Sequence, residues 1–102
     1  MIFQISKTSI VTNLRDILRK CGYFGLADRF SGQISYVKRL SQSQYYPRFH
    51  LYFTETEDNF NFKLHLDQKK PSYQGSTAHS GEYNDPIVAE ETDRIKNIIN
   101  NL

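Results

Sequence analysis

Arg48-Phe49-His50-Leu51-Tyr52-Phe53-Thr54 and Phe60-Asn61-Phe62-Lys63-Leu64-His65-Leu66-Asp67 flank the polar turn Glu55-Thr56-Glu57-Asp58. Both stretches alternate apolar with polar residues, the period of a strand with one buried face. Two such runs around a short polar loop predict an antiparallel hairpin. Phe49, Leu51, Phe53, Phe60, Phe62, Leu64 and Leu66 then share the core face, because side chains alternate along a strand. Arg48, His50, Tyr52, Asn61, Lys63, His65 and Asp67 share the other. Pairing Thr54 with Asn59 sets His50 diagonal to His65. A shift of two residues sets them directly opposite, and either way their Cβ atoms lie roughly 5–8 Å apart.

Outward from the hairpin the signals are helical and loop-like. Ile10, Leu14, Ile17, Leu18 and Cys21 recur at helical spacing, with Thr8, Ser9 or Thr12 as cap and Gly22 as stop. Ile2 to Ile5 reads as a short edge strand, Tyr23 to Ser31 as a loop and Gln33 to Leu40 as a strand. Residues 68–84 carry Pro71, Gly75 and Gly81 with several Ser and Thr, and read as a long loop. Asp85-Pro86 opens a last helix, as N-cap and first helical residue. Val88, Ile95, Ile98, Ile99 and Leu102 form its apolar stripe. Glu90, Glu91 and Asp93 stand in its early turns, where the helix dipole favours negative charge. The expected fold is an α+β two-layer sandwich of order (β)-α-β-β-β-α. Two helices cover one face of a small antiparallel sheet of three to four strands, and the other face is left to water or a partner.

The chain has 102 residues, the length of one domain spanning 1–102. It is 38% hydrophobic and 14% aromatic, enough for a small core without disulfides. Its single cysteine, Cys21, excludes an internal disulfide, lies on the apolar helical phase and matches a reducing cytoplasm. No apolar run approaches the roughly 20 residues of a membrane span, and the N-terminal residues lack the pattern of a signal peptide. The net charge of +2 permits an acidic partner without requiring one.

Three constellations carry possible chemistry. Arg48, Tyr52, Lys63 and His65 on the polar sheet face, with Lys69, Lys70 and Tyr73 just beyond it, combine cations for phosphates with rings for unpaired bases. His50, His65, Asp67, His79 and Glu82 are imidazoles and carboxylates of the kind that hold zinc or a similar ion. Ser72 or Ser80 with His79 or His65 and Asp67 offers a Ser-His-Asp set, but without the GxSxG turn that exposes a nucleophilic serine.

The segments Tyr46-Pro47-Arg48-Phe49-His50, His65-Leu66-Asp67-Gln68-Lys69-Lys70-Pro71 and Ala78-His79-Ser80-Gly81-Glu82-Tyr83 resemble a family of small uncharacterised bacterial proteins. That resemblance covers about half the chain and implies no activity. The element order also resembles the double-stranded-RNA-binding domain in topology. The lysine-rich start of that domain's last helix is replaced here by Asp85-Pro86 and Glu90-Glu91. The leading expectation is a non-enzymatic cytoplasmic module that binds RNA through the polar sheet face and the 68–84 loop. The alternatives are a metal-binding protein or small metal-dependent hydrolase built on the histidine and carboxylate set, and a homodimer that buries the tyrosine-rich face.

Overall fold

The computed structural model describes residues 1–10, 12–68 and 86–102. Five strands form one sheet: β1 (Ile2–Ser6), β2 (Phe24–Ala27), β3 (Ile34–Arg39), β4 (Arg48–Glu55) and β5 (Asn59–Asp67). A 3-10 turn (Lys7–Ser9) and helix α1 (Leu14–Lys20) follow β1, and helix α2 (Pro86–Asn100) closes the described chain. The strand order is β1-β5-β4-β3-β2, with every neighbouring pair antiparallel. The α+β class stands. The sheet has five strands rather than three to four, and the order is β-α-β-β-β-β-α. No helix among the described residues is long and apolar enough to cross a membrane.

The hairpin is the centre of the sheet. Phe49 pairs with Leu66, Leu51 with Leu64 and Phe53 with Phe62, so the alternation read from sequence is the alternation in space. Thr54 pairs with Asn61, the register that sets His50 directly across from His65. β1 adds Phe3 against Phe62, their rings stacked with centroids 5.0 Å apart. Leu14, Ile17 and Leu18 of α1 and Val88, Ile95 and Ile99 of α2 bury against this face. Ile98 is half-buried and Leu102 is exposed, so the apolar stripe of α2 ends at Ile99.

Two local features depart from expectation. The 3-10 turn uses Ser6 as its own cap, and α1 starts later, with the Asn13 side chain accepting from the Asp16 amide at 2.9 Å. Asn13, not Thr8, Ser9 or Thr12, is therefore the N-cap of α1. The helix ends as read. Gly22 takes φ of +97°, its amide donates to Arg19 and the Tyr23 amide donates to Leu18, the two bonds of a Schellman ending. The segment read as a loop contains β2, which pairs with β3 through a tight return. Asp28 Oδ1 accepts from the Phe30 amide at 2.8 Å, and Gly32 takes φ of +74°.

A buried polar network locks the helices to the start of β2. Tyr23, fully buried, donates its hydroxyl to Glu91 Oε2 at 2.6 Å. Arg94 grips the same carboxylate through Nε at 2.6 Å and Nη2 at 2.7 Å, and Nη2 also donates to the Cys21 carbonyl at 2.6 Å. Burial first, then the neighbouring Glu91 charge, push the Tyr23 hydroxyl far above its ordinary pKa, so it stays a donor. Glu91, read from sequence as a partner of the helix dipole, is only 5% exposed and is held by these two donors. Cys21 is buried beside this network, as expected.

Candidate metal centre on the polar sheet face

The second face of the sheet is not uniformly open. Tyr52 and Lys63, a cross-strand pair, are exposed, but Arg48 is 7% and His65 5% exposed, and Ser35 is also buried. The register explains the cluster. Arg48 pairs with Asp67 and His50 with His65 across β4 and β5, and the β3 register carries Ser35 to the other side of His50. Alternation puts all five side chains on the face away from the helices.

Asp67 is the hub. Its Oδ2 accepts from Arg48 Nε at 3.2 Å and from His50 Nδ1 at 3.0 Å, and its Oδ1 accepts from His65 Nε2 at 2.7 Å. Burial alone would raise the Asp67 carboxyl. The hydrogen bonds from His50 and His65, with their charge, outweigh burial and hold it well below the usual carboxylate range. Tyr52 roofs the cluster. Its ring stacks on His50 at 4.5 Å and on His65 at 5.6 Å, and its hydroxyl lies 3.4 Å from His50 Nδ1. Tyr45 and Tyr46 each set a ring 4.6 Å from the Arg48 guanidinium carbon. The chain reaches β4 from these two rings through a cis Tyr46–Pro47 bond.

Ser35 Oγ lies 2.8 Å from His50 Nε2 and 3.5 Å from the Leu26 carbonyl. This contact suits either tautomer of the imidazole. With the proton on Nδ1, that nitrogen donates to Asp67, and Nε2 accepts from the Ser35 hydroxyl. With Nδ1 engaged by a cation, Nε2 carries the proton and donates to Ser35 Oγ, whose own proton turns toward Leu26. A pocket of about 170 Å³ opens beside this pair, lined by Leu26, Asp28, Gln33, Ser35, His50 and Tyr52. Ser35, His50 and Asp67 thus lie in the order of a Ser-His-Asp relay. Ser35, however, sits buried within β3 between two other strands, not on the exposed strained turn of a nucleophile. Its role here is to orient His50.

One donor atom from each of His50, His65 and Asp67 falls within 4.8 Å of the others. Donors around a single zinc ion stand roughly 3–3.5 Å apart, given metal–ligand distances near 2 Å. The two contacts to Asp67, 3.0 and 2.7 Å, are already that close, so the two imidazoles need only draw toward each other to share one ion. Two neutral imidazoles and one carboxylate are the donor set of open zinc and non-haem iron sites.

Of the residues expected to meet a metal, the structure brings together His50, His65 and Asp67. Of those expected to meet nucleic acid, it leaves Tyr52 and Lys63 exposed, and ties Arg48 and His65 to Asp67. His79, Glu82, Lys69, Lys70, Tyr73, Ser72 and Ser80 lie outside the described residues. Ser35 was not anticipated, and Arg48 was anticipated only as a surface cation. The chain matches no protein-family model, no curated protein and no solved structure.

Proposed function

We propose that the polar sheet face holds one divalent transition-metal ion, zinc or a chemically similar cation, on His50 Nδ1, His65 Nε2 and the Asp67 carboxylate. The single observation that carries this reading is the convergence of two imidazoles on one shared carboxylate, with the far nitrogen of His50 held by Ser35. Metal-binding histidines characteristically hand their second nitrogen to such a partner. Among the described residues three protein donors converge, and a site completed by these three alone would keep a coordination position open, as catalytic zinc sites do. The reaction class this supports is metal-assisted hydrolysis: an ion held by His50, His65 and Asp67 would supply Lewis acidity for a bound water and a substrate oxygen. Tyr52 stacks over both imidazoles and bounds the site on its solvent side.

Calorimetric titration of the chain with zinc at neutral pH tests it. One-to-one binding is expected, abolished in His65→Ala and reversed on acidification as protons compete for the imidazole nitrogens. Absence of binding, or equal binding by His65→Ala, refutes the metal site.

A nucleic-acid-binding reading draws support from one observation, the exposed cross-strand pair of Tyr52 and Lys63. A ring beside a cation offers stacking and a phosphate contact together. Affinity for single-stranded RNA should then fall linearly in log salt, and Lys63→Ala should lower the slope by about one. No binding at low salt would exclude it.

A further inference from the structure

β2 is the last strand of the sheet and pairs only with β3 among the described residues. Its outer edge therefore keeps backbone groups that the ladder does not use. The register says which. The Asp28 amide donates to the Gln33 carbonyl at 2.8 Å, so Asp28, Leu26 and Phe24 turn their backbone groups inward. The Leu40 amide on the Pro47 carbonyl fixes the same phase from the β4 side, with Lys38 and Tyr36 bonding toward β4 and Val37 and Ser35 toward β2. Gly25 and Ala27 thus turn their amides and carbonyls outward. Proteins commonly blunt such an edge with lysine, proline or a bulge. This one reads Phe24-Gly25-Leu26-Ala27, without a charge.

The two faces of the edge differ. Phe24, 66% exposed, and Leu26 oppose Val37 and Ser35 on the His50 side of the sheet. Gly25 and Ala27 oppose Tyr36 and Ile34 on the α1 side, where a groove of about 370 Å³ is lined by these four residues with Arg15 and Arg19. Ile34 is 56% exposed, an apolar floor open to solvent. A Cβ at Gly25 would meet Ile34 and Tyr36 only at ordinary contact distances, so the fold does not require glycine there, and its effect is to keep the floor open. Arg15 and Arg19, one helical turn apart, are exposed and form no ion pair among the described residues. We propose that the β2 edge receives an extended segment of a partner protein in which acidic residues alternate with apolar ones. Added as a strand, that segment bonds to the outward groups of Gly25 and Ala27. Its period of two sends carboxylates into the groove toward Arg15 and Arg19, and apolar side chains over Phe24 and Leu26. Charge decides against a second copy as the occupant. Two β2 strands paired about a two-fold axis would flank the joint with Arg15 and Arg19 of both copies, like charge against like. This surface does not depend on the metal reading.

The test uses the full chain and a short capped peptide that alternates glutamate with valine, beside its lysine–valine counterpart. Nuclear magnetic resonance titration should show binding of the glutamate peptide and none of the lysine peptide. At saturation the Gly25 and Ala27 amides should exchange with solvent at least about tenfold more slowly, as ladder donors do. Arg15→Glu combined with Arg19→Glu should weaken the glutamate peptide at least about tenfold, since like charge then faces like across the contact. Both positions are exposed, so the urea midpoint should stay near that of the wild type. The wild type carries the same information without a substitution: its affinity for the peptide should fall as salt rises. No binding of the glutamate peptide, equal binding of the lysine peptide, or an affinity indifferent to charge reversal and salt overturns the proposal. Slowed exchange along β1 in place of β2 does so too. Protection of Gly25 and Ala27 that grows with protein concentration in the absence of peptide would make a second copy the occupant, and also overturns it.

Discussion

Two buried polar clusters sit on opposite faces of the same sheet, and they are built differently. On the helix side, Tyr23 and Arg94 converge on Glu91, and Arg94 also reaches the Cys21 carbonyl. The donors are a phenol and a guanidinium, neither of which changes protonation near neutral pH. On the far side, Arg48, His50 and His65 converge on Asp67, and Ser35 backs His50. Here two of the donors are imidazoles, a group able to give up a proton and take a metal in its place, and Arg48 has a buried Nη1 without a hydrogen-bond partner. Both clusters spend one carboxylate on several donors. The first is closed and serves the fold, while the second is adaptable and incomplete. Burial and hydrogen-bond count alone would not separate them; the chemistry of the donors does.

The comparison breaks first on stability. Arg94→Leu leaves the Glu91 carboxylate buried with Tyr23 as its main donor. It should cost about 3 kcal/mol, near the low end for breaking a buried pair because Arg94 is itself partly exposed. A urea titration measures this, and the folded variant should bind zinc as the wild type does. A loss of zinc affinity would mean that the two clusters are coupled.

Ser35→Ala should do the converse. It should weaken zinc about 10- to 100-fold by freeing the His50 ring, as outer-shell substitutions at metal sites do. The cost in the urea midpoint should stay small, since the lost bond is one neutral contact. An unchanged zinc affinity would make the Ser35–His50 contact incidental.

The smallest effect lies in acid, in metal-free protein. The folded state holds the Asp67 carboxyl below its ordinary range, so the unfolded chain takes up that proton first. The stabilisation is complete above the unfolded value of about 3.9 and is lost as pH falls through the folded one. Asp67→Asn should flatten this acid limb in chemical denaturation followed from pH 6 to pH 2. A limb as steep in the variant would assign it to other carboxylates.

The hairpin was legible because its alternation is strict and one face is buried, which penalises any slip by one residue. The choice between His50 diagonal to His65 and His50 opposite it was open, since both registers keep the phenylalanines together. β2 was not legible from periodicity. It is a four-residue edge strand with Gly25 inside it and little burial, so nothing in its apolar pattern had to repeat. Its turn chemistry, Asp28 with Gly32, was the available signal. Glu91 was also readable in principle. It falls on the buried phase of α2 with Val88 and Ile95, and a carboxylate on that phase demands a buried donor. Ser35 depended on the β3 register, which the poor alternation of that strand does not specify. Of the candidate site, the residue types and the shared face were in the sequence. The hub role of Asp67 and the burial of Arg48 come only from three strands meeting.

The most direct test is an X-ray absorption spectrum at the zinc edge of the loaded protein. A centre on His50, His65 and Asp67 should give nitrogen and oxygen scatterers at about 2.0–2.1 Å. At least two imidazoles should contribute, with one imidazole contribution lost in His65→Ala. A shell of oxygen atoms alone, or a spectrum unchanged by His65→Ala, would contradict the assignment of this face as a metal centre.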